Sequence, residues 1–328
     1  MLTDRRMHLR PVEYPQFLAY RDAIRHSYWL HTEFNLTEDV HDFRARVTAA
    51  ERQAITRTLL AIAQVEVAVK TFWGDIYQRF PKPEVAAVGY TFAESEVRHQ
   101  DAYAHLLELL GLNREFERLG QVPAVQGRIA VLNEHLAQPP SLQTNRDGRA
   151  YAFTILLFSV FVEHVSLFGQ FLIMKAFDKA HQLFKGIANI VEATSKEEQI
   201  HGMFGYQLLD TLKLEFPHWF DAAFYDDVAR ACRQAFMAER AILDWIFEDG
   251  ELGFLPRTQI EAFIQHRFNT SLQVIGLTPL WKVDPAAVTA ALWFEEELLA
   301  GKHVDFFHKR PTAYAKKVKA ITEDDLFS

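Results

Sequence analysis

The sequence has one cysteine, Cys232, in 328 residues. A lone thiol excludes a disulfide framework and a cysteine-rich zinc site. It suits a reducing compartment, so the expected location is the cytoplasm. Glycine is scarce, at 14 residues, and no stretch alternates apolar and polar residues as a half-buried strand would. With 49% of the residues apolar, that scarcity points to a large packed helical core. Positive charge is in deficit: the formal net charge is −8, which argues against nucleic acid as the main partner. The N-terminal stretch MLTDRRMHLRPVEYP lacks the apolar centre of a secretory signal. Long apolar runs are missing too, with the exception of Tyr151 to Met174. Its length raises the question of a membrane. Glu163, His164 and Gln170 interrupt it, so the expectation is a helix buried in protein and no membrane span.

What is present is helical periodicity. Thr48 to Phe80 reads as one long helix with an apolar stripe of Leu59, Ile62, Val69, Trp73, Ile76 and Phe80. Glu66 fills the stripe's missing step. A second helix, entered through Pro81-Lys82-Pro83, runs from Val85 to its glycine stop at Gly111. One of its faces reads Val85, Gly89, Phe92, Glu96, His99, Tyr103, Leu106, Leu110. The polar segment QPPSLQTNRDG then reads as a connection. Tyr151 to Phe177 forms a third helix with Glu163 in its apolar row, and Gln182 to Leu214 a fourth with Glu198 and His201 in its row. Further helices are expected at Ala222–Phe247, Arg257–Leu277 and Ala286–Leu299. Residues 309–328 are charged and read as a mobile tail.

A glutamate and a histidine three residues apart lie one helical turn apart, about 4.5 Å of rise, and can reach one metal ion. With 25 Glu and 14 His in the chain, about one such pair would arise by chance. Four occur. Glu38 to His41 sits in a polar stretch, and Glu215 to His218 encloses Pro217, which bars it from a helix interior. The remaining two, Glu96 to His99 and Glu198 to His201, sit on apolar helical faces. Together with Glu66 and Glu163 they put one buried carboxylate on each of four long helices, and a histidine on two. Four carboxylates cannot be buried near one another without cations, and two divalent metal ions would neutralise them. This is the known ligand pattern of ferritin-like di-iron and di-manganese proteins. Oxygen-rich ligation with two imidazoles suits Fe or Mn. The expected fold is therefore an all-α, ferritin-like helical bundle with additional helices. The expected ions lie about 3.5–4 Å apart, with Glu66, Glu96 and His99 on one, and Glu163, Glu198 and His201 on the other. Some of the carboxylates should bridge.

Beyond these ligands the chain resembles the small (beta) subunit of class I ribonucleotide reductase over nearly its whole length. The resemblance rests on SYWLHTEFNLTEDV, VEVAVKTFWGDIY, TFAESEVRHQDAY, LLFSVFVEHVSLFGQF, SKEEQIH and the TEDDLF tail. It implies a dinuclear Fe/Fe, Mn/Mn or Mn/Fe centre that reacts with oxygen species. The centre stores a one-electron oxidant, which passes to a cysteine on a large (alpha) catalytic subunit. By position, Tyr103 matches the radical tyrosine of many members, and Trp29 the tryptophan of the radical-transfer path. Glu197 matches the acidic residue that supports that tryptophan, and Tyr314 the relay tyrosine of the tail. The resemblance also implies a homodimer and an activating flavoprotein. Residues 1–308 would form the metal domain. Residues 309–328 would dock on the large subunit through Leu326-Phe327. The chain departs from the best-known members in having Glu66 where they have aspartate. Some subclasses keep the oxidising equivalent on the metals. The single Cys232 agrees with a small-subunit role, because the chemistry needs several cysteines and they must lie on another polypeptide.

A ligand-binding dinuclear oxidase of the same superfamily also has glutamate at the first ligand position. Its valine–tyrosine crosslink would need a tyrosine where this chain has Phe158, opposite Val69. A ferritin-like metal-storage protein is the other alternative; such proteins are shorter and have neither relay aromatics nor a partner tail.

Overall fold

In the computed structural model, residues 1–67, 69–136, 142 and 144–299 are described. The expected tail, with Tyr314 and Leu326-Phe327, lies outside the described residues, as does most of the connection before Thr144. No strand occurs among the described residues. The chain forms α1 (Leu18–His26), α2 (Thr37–His41), α3 (Ala49–Glu66), α4 (Val69–Arg79) and α5 (Pro83–Leu110). α6 (Asn113–Glu117), α7 (Pro123–Leu136), α8 (Asn145–His181) and α9 (Lys185–Glu215) follow. α10 (Ala222–Ile246), α11 (Arg257–Val274) and α12 (Pro285–Leu299) complete the series.

The bundle that matters for the site is a ring of four. α3 packs on α5, α5 on α9, α9 on α8, and α8 back on α3. Each presents an apolar face inward, with Ile62, Phe92, Val160 and Val191 fully buried. Burial of such faces at about 25 cal/mol per Å² is what holds the helices together. α8 contains the expected Tyr151–Phe177 helix and is longer at both ends. It is the one described helix long and apolar enough to cross a membrane, but 83% of its most apolar window is buried in the protein.

The first expected helix is two. α3 ends at Glu66 and α4 begins at Val69. The sequence there is Val65-Glu66-Val67, and β-branched side chains crowd the preceding turn. Lys70 stabilises the interruption: its Nζ donates to the carbonyls of Glu66 at 3.1 Å and Val67 at 2.9 Å. α8 deviates in another way. From Leu156 to Ser166 it is wound wide, as a π-helix. This stretch lies against the backbone of α9 at two glycines. A Cβ on Gly202 would sit 2.5 Å from His164 Cβ, and one on Gly205 would sit 2.8 Å from Ser159 Cβ. α9 begins where Asp39 of α2 accepts from the Gly186 and Ile187 amides, at 3.2 and 2.8 Å. A side chain from elsewhere thus satisfies the free donors of its first turn.

Candidate metal centre

Glu66 comes from the last residue of α3, Glu96 and His99 from the middle of α5, Glu163 from the wide-wound part of α8, and Glu198 and His201 from the middle of α9. All six are at most 1% exposed. The structure brings all six together. Glu66, Glu96, His99 and Glu198 can each offer a ligand atom within 4.8 Å of the others, and so can Glu96, Glu163, Glu198 and His201. The two groups share Glu96 and Glu198.

The sharing is visible atom by atom. Glu96 Oε2 lies 3.2 Å from His99 Nδ1, and Glu96 Oε1 lies 3.0 Å from His201 Nδ1. Glu198 Oε1 lies 3.2 Å from His99 Nδ1, and Glu198 Oε2 lies 3.4 Å from His201 Nδ1. Each of these carboxylates therefore spans both imidazoles. Glu66 stands at the His99 end, at 4.0 Å, and Glu163 at the His201 end, at 3.7 Å. Glu96 and Glu198 thus each face both ends, where the expectation assigns each to one ion and leaves open which carboxylates bridge.

Both imidazoles turn Nδ1 inward because Nε2 is held from behind. His99 Nε2 lies 2.8 Å from Glu197 Oε2. A carboxylate can only accept, so Nε2 carries the hydrogen. His201 Nε2 lies 3.1 Å from Ser95 Oγ, whose own hydrogen goes to the Phe92 carbonyl at 2.8 Å. Ser95 therefore accepts from His201. In the neutral imidazoles both Nδ1 lone pairs face the carboxylates, as metal ligation requires.

Charge makes the same point. Neither oxygen of Glu66 has a hydrogen-bond donor among the described residues, and neither do Glu163 Oε2 and Glu198 Oε2. Burial pushes the carboxyls of Glu66 and Glu163 well above the usual range, and the neighbouring glutamates add to it. Burial opposes charge on His99, but its bonds to Glu197, Glu198 and Glu96 win and hold its pKa well above the ordinary value. At His201 burial is likewise outweighed by Glu96 and Glu198, and the imidazole is pushed up to about 9. Without metal, protons must neutralise the cluster. Two divalent cations would balance four carboxylates and give the orphaned oxygens partners. The donor set fits a dinuclear Fe or Mn site.

The second row was only partly expected. Trp73 Nε1 donates to Glu163 Oε1 at 2.8 Å. Trp29 stacks on His99, with centroids 5.9 Å apart and an interplanar angle of 17°. Glu197 was expected to support Trp29, but the Trp29 Nε1 has no hydrogen-bond partner among the described residues. Glu197 instead pairs with Arg98, which donates from Nη1 and Nη2 at 3.2 and 3.1 Å. Arg98 also donates to the Trp29 carbonyl at 3.2 Å and lies 5.7 Å from its ring centroid. Trp29 and Glu197 are thus linked through Arg98 and His99. Tyr103 is buried. Burial raises its pKa, and the charge of Glu66 raises it further; the Thr194 side chain is the polar group that acts on its hydroxyl, favouring the ionised form. Phe158, where the oxidase would have its crosslinking tyrosine, packs on Phe72 at 4.2 Å.

Sequence reasoning missed Ser95, Arg98 and Trp73 as parts of the site. Ser95 directly precedes the first Glu–His pair, Arg98 lies inside it next to His99, and Trp73 stands in the first apolar stripe. Spacing marked each as a neighbour but did not say which atom it would meet.

Comparison with known proteins gives one answer. The family model described as ribonucleotide reductase, small chain, matches residues 6–289. A probable ribonucleoside-diphosphate reductase small subunit of Invertebrate iridescent virus 3 is 27% identical over 324 residues, covering 94% of this chain and 84% of the relative. Among solved structures, a putative class I ribonucleotide reductase from Bacillus halodurans superposes with a TM-score of 0.75 at 14% identity, over 86% of this chain and 99% of that one. The dimanganese(II)-NrdF of Streptococcus sanguinis gives 0.65 at 15% identity, over 88% and 99%. These likenesses agree with the ferritin-like bundle. The chain belongs to the ribonucleotide reductase small-chain family.

Proposed function

We propose that the six buried side chains hold two transition-metal ions, iron or manganese, and that this chain supplies the oxidant for ribonucleotide reduction by a large catalytic subunit. The observation that carries this reading is the spread of Glu96 and Glu198 across both imidazoles. When bound, the metal pair would supply oxygen-derived one-electron oxidation. The residues of this chain do the rest. Glu66 and Glu163 close the two ends. Glu197 and Ser95 fix the imidazoles. The apolar shell of Phe92, Trp73 and Phe204 keeps water away from His201.

Tyr103, one turn beyond His99, is proposed as the residue that stores the oxidant. Trp29, Arg98 and Glu197 are proposed as the route outward from His99. The homodimer, the flavoprotein activator and the docking tail with Tyr314 are further parts of this proposal and come from the family. The decisive test is metal analysis with electron paramagnetic resonance after reconstitution with Fe, Mn and both, followed by turnover with the large subunit. Two ions per chain and turnover are expected. A mononuclear site, or a centre that forms without Glu163, overturns the reading. Tyr103→Phe should remove any tyrosyl signal; full activity with an unchanged spectrum would put the oxidant on the ions.

A further inference from the structure

The wide-wound stretch of α8, Leu156–Ser166, carries Glu163. A wide turn draws carbonyls away from the amides that ordinarily meet them, so they need other donors. The His164 carbonyl receives two from one side chain. Arg267 of α11 donates from Nε at 3.0 Å and from Nη2 at 2.7 Å. The same Nη2 donates to Gln199 Oε1 at 3.1 Å. His164 follows Glu163 in the chain, and Gln199 follows Glu198. One guanidinium therefore ties the two segments that carry these ligands, with no hydrogen bond to either ligand.

Arg267 is itself held still. Glu295 Oε1 accepts from its Nη1 at 3.0 Å, and the Phe168 ring centre lies 3.7 Å from its central carbon. The residue is 7% exposed. A lysine would keep the charge and lose the fork that reaches three acceptors at once. The contact of His164 with Gly202 brings α8 and α9 together at the same level, so the guanidinium adds a polar clasp to a close-packed junction. We propose that Arg267 is a positioning residue for the His201 end of the metal centre. It sets the separation of Glu163 and Glu198 and, through it, the affinity for the ion at that end. The inference rests on the two-ion reading above.

Titration of the full-length protein with Mn2+, followed by calorimetry and electron paramagnetic resonance, separates the two ideas. Wild type binding two coupled ions supports the two-ion reading; fewer ions would overturn both. With two ions in wild type, Arg267→Met should weaken one of them by about 10–100-fold, the usual effect of losing an outer-sphere partner. It should leave a mononuclear Mn2+ signal in place of the coupled one. Gln199→Met cuts the link to the Glu198 segment and keeps the bonds to the His164 carbonyl. It should weaken the same ion by about tenfold, and it serves if Arg267→Met does not fold. Lys175→Met is the control. It removes a different buried cation, this one on α8, bonded to Glu192 at 2.8 Å and Glu297 at 3.1 Å. It should lower the melting temperature and leave both ions bound. Unchanged affinities in Gln199→Met, or an equal weakening by Lys175→Met, would overturn the assignment.

Discussion

His99 gives its outer nitrogen to a carboxylate, Glu197, at 2.8 Å; His201 gives its outer nitrogen to a hydroxyl, Ser95, at 3.1 Å. Behind Glu197 stand Arg98, with Tyr28 and Trp29 against its guanidinium at 4.6 and 5.7 Å. Tyr28 is 54% exposed, so a chain of polar and aromatic contacts leads from His99 to the surface. Around His201 the neighbours are Phe92 at 4.2 Å and Trp73 at 5.6 Å, and among the described residues its outer nitrogen bonds to the Ser95 hydroxyl and to no charged side chain. The two ends are built from similar side chains and differ in what lies beyond. A charged partner raises the basicity of its imidazole and couples it to other charges; a hydroxyl in an apolar shell only orients it. The asymmetry suits a site with one connected end and one insulated end.

The largest effect should come from removing what the two ends share. Glu198→Ala takes a ligand from both ions at once, so binding should fall by more than the ~10–100-fold of an outer-sphere change. Metal analysis after dialysis checks this, and retention of two ions would show that Glu198 does not bridge. Next comes the connected end. Glu197→Gln keeps the shape and removes the charge that holds His99 and Arg98. Turnover with the large subunit should fall by about 100-fold, while metal content falls far less. A proportional loss of both would mean that Glu197 is only a support for the ion.

Smaller effects are expected at the insulated end. Trp73→Phe removes the one indole donor to Glu163, a bond to a charged group that contributes about 1.5–3 kcal/mol. Calorimetric Mn2+ titration should show one ion weakened and the other unchanged. Ser95→Ala should be the mildest. It leaves one N–H of His201 without its acceptor, at a cost of about 1–3 kcal/mol, and a water could restore part of it. If Ser95→Ala damaged turnover as severely as Glu197→Gln, the contrast between the ends would be wrong.

The helices and the clustering of the six buried side chains were legible because both rest on one property of sequence, the 3.6-residue period. A glutamate in an apolar row at that spacing must point into the core, whatever the core contains. The period says nothing of where it fails. The interruption after Glu66 depends on Lys70 reaching back to two carbonyls, and the widening of α8 depends on α9 offering glycines opposite it. Both are agreements between segments distant in sequence or between a side chain and a backbone. Glu197 shows the same limit. Its place beside Glu198 was visible, but its partners come from α5 and from the segment before α2, and only the folded chain decides that Arg98 stands between it and the Trp29 ring. Arg267 lies 68 positions from Gln199, and nothing near it in sequence points to a metal centre.

Gly202 and Gly205 carry a consequence for genetics. Neither has a side chain that could touch an ion, a radical or a partner. Yet any replacement at either position must push α8 off α9, because the first carbon added would overlap His164 or Ser159. In a saturation library scored by growth, these two positions should be as intolerant as the six side chains proposed to hold the ions. Intolerance at this site therefore marks two different things, atoms that do chemistry and space that must stay empty. A screen alone would assign both to the same class.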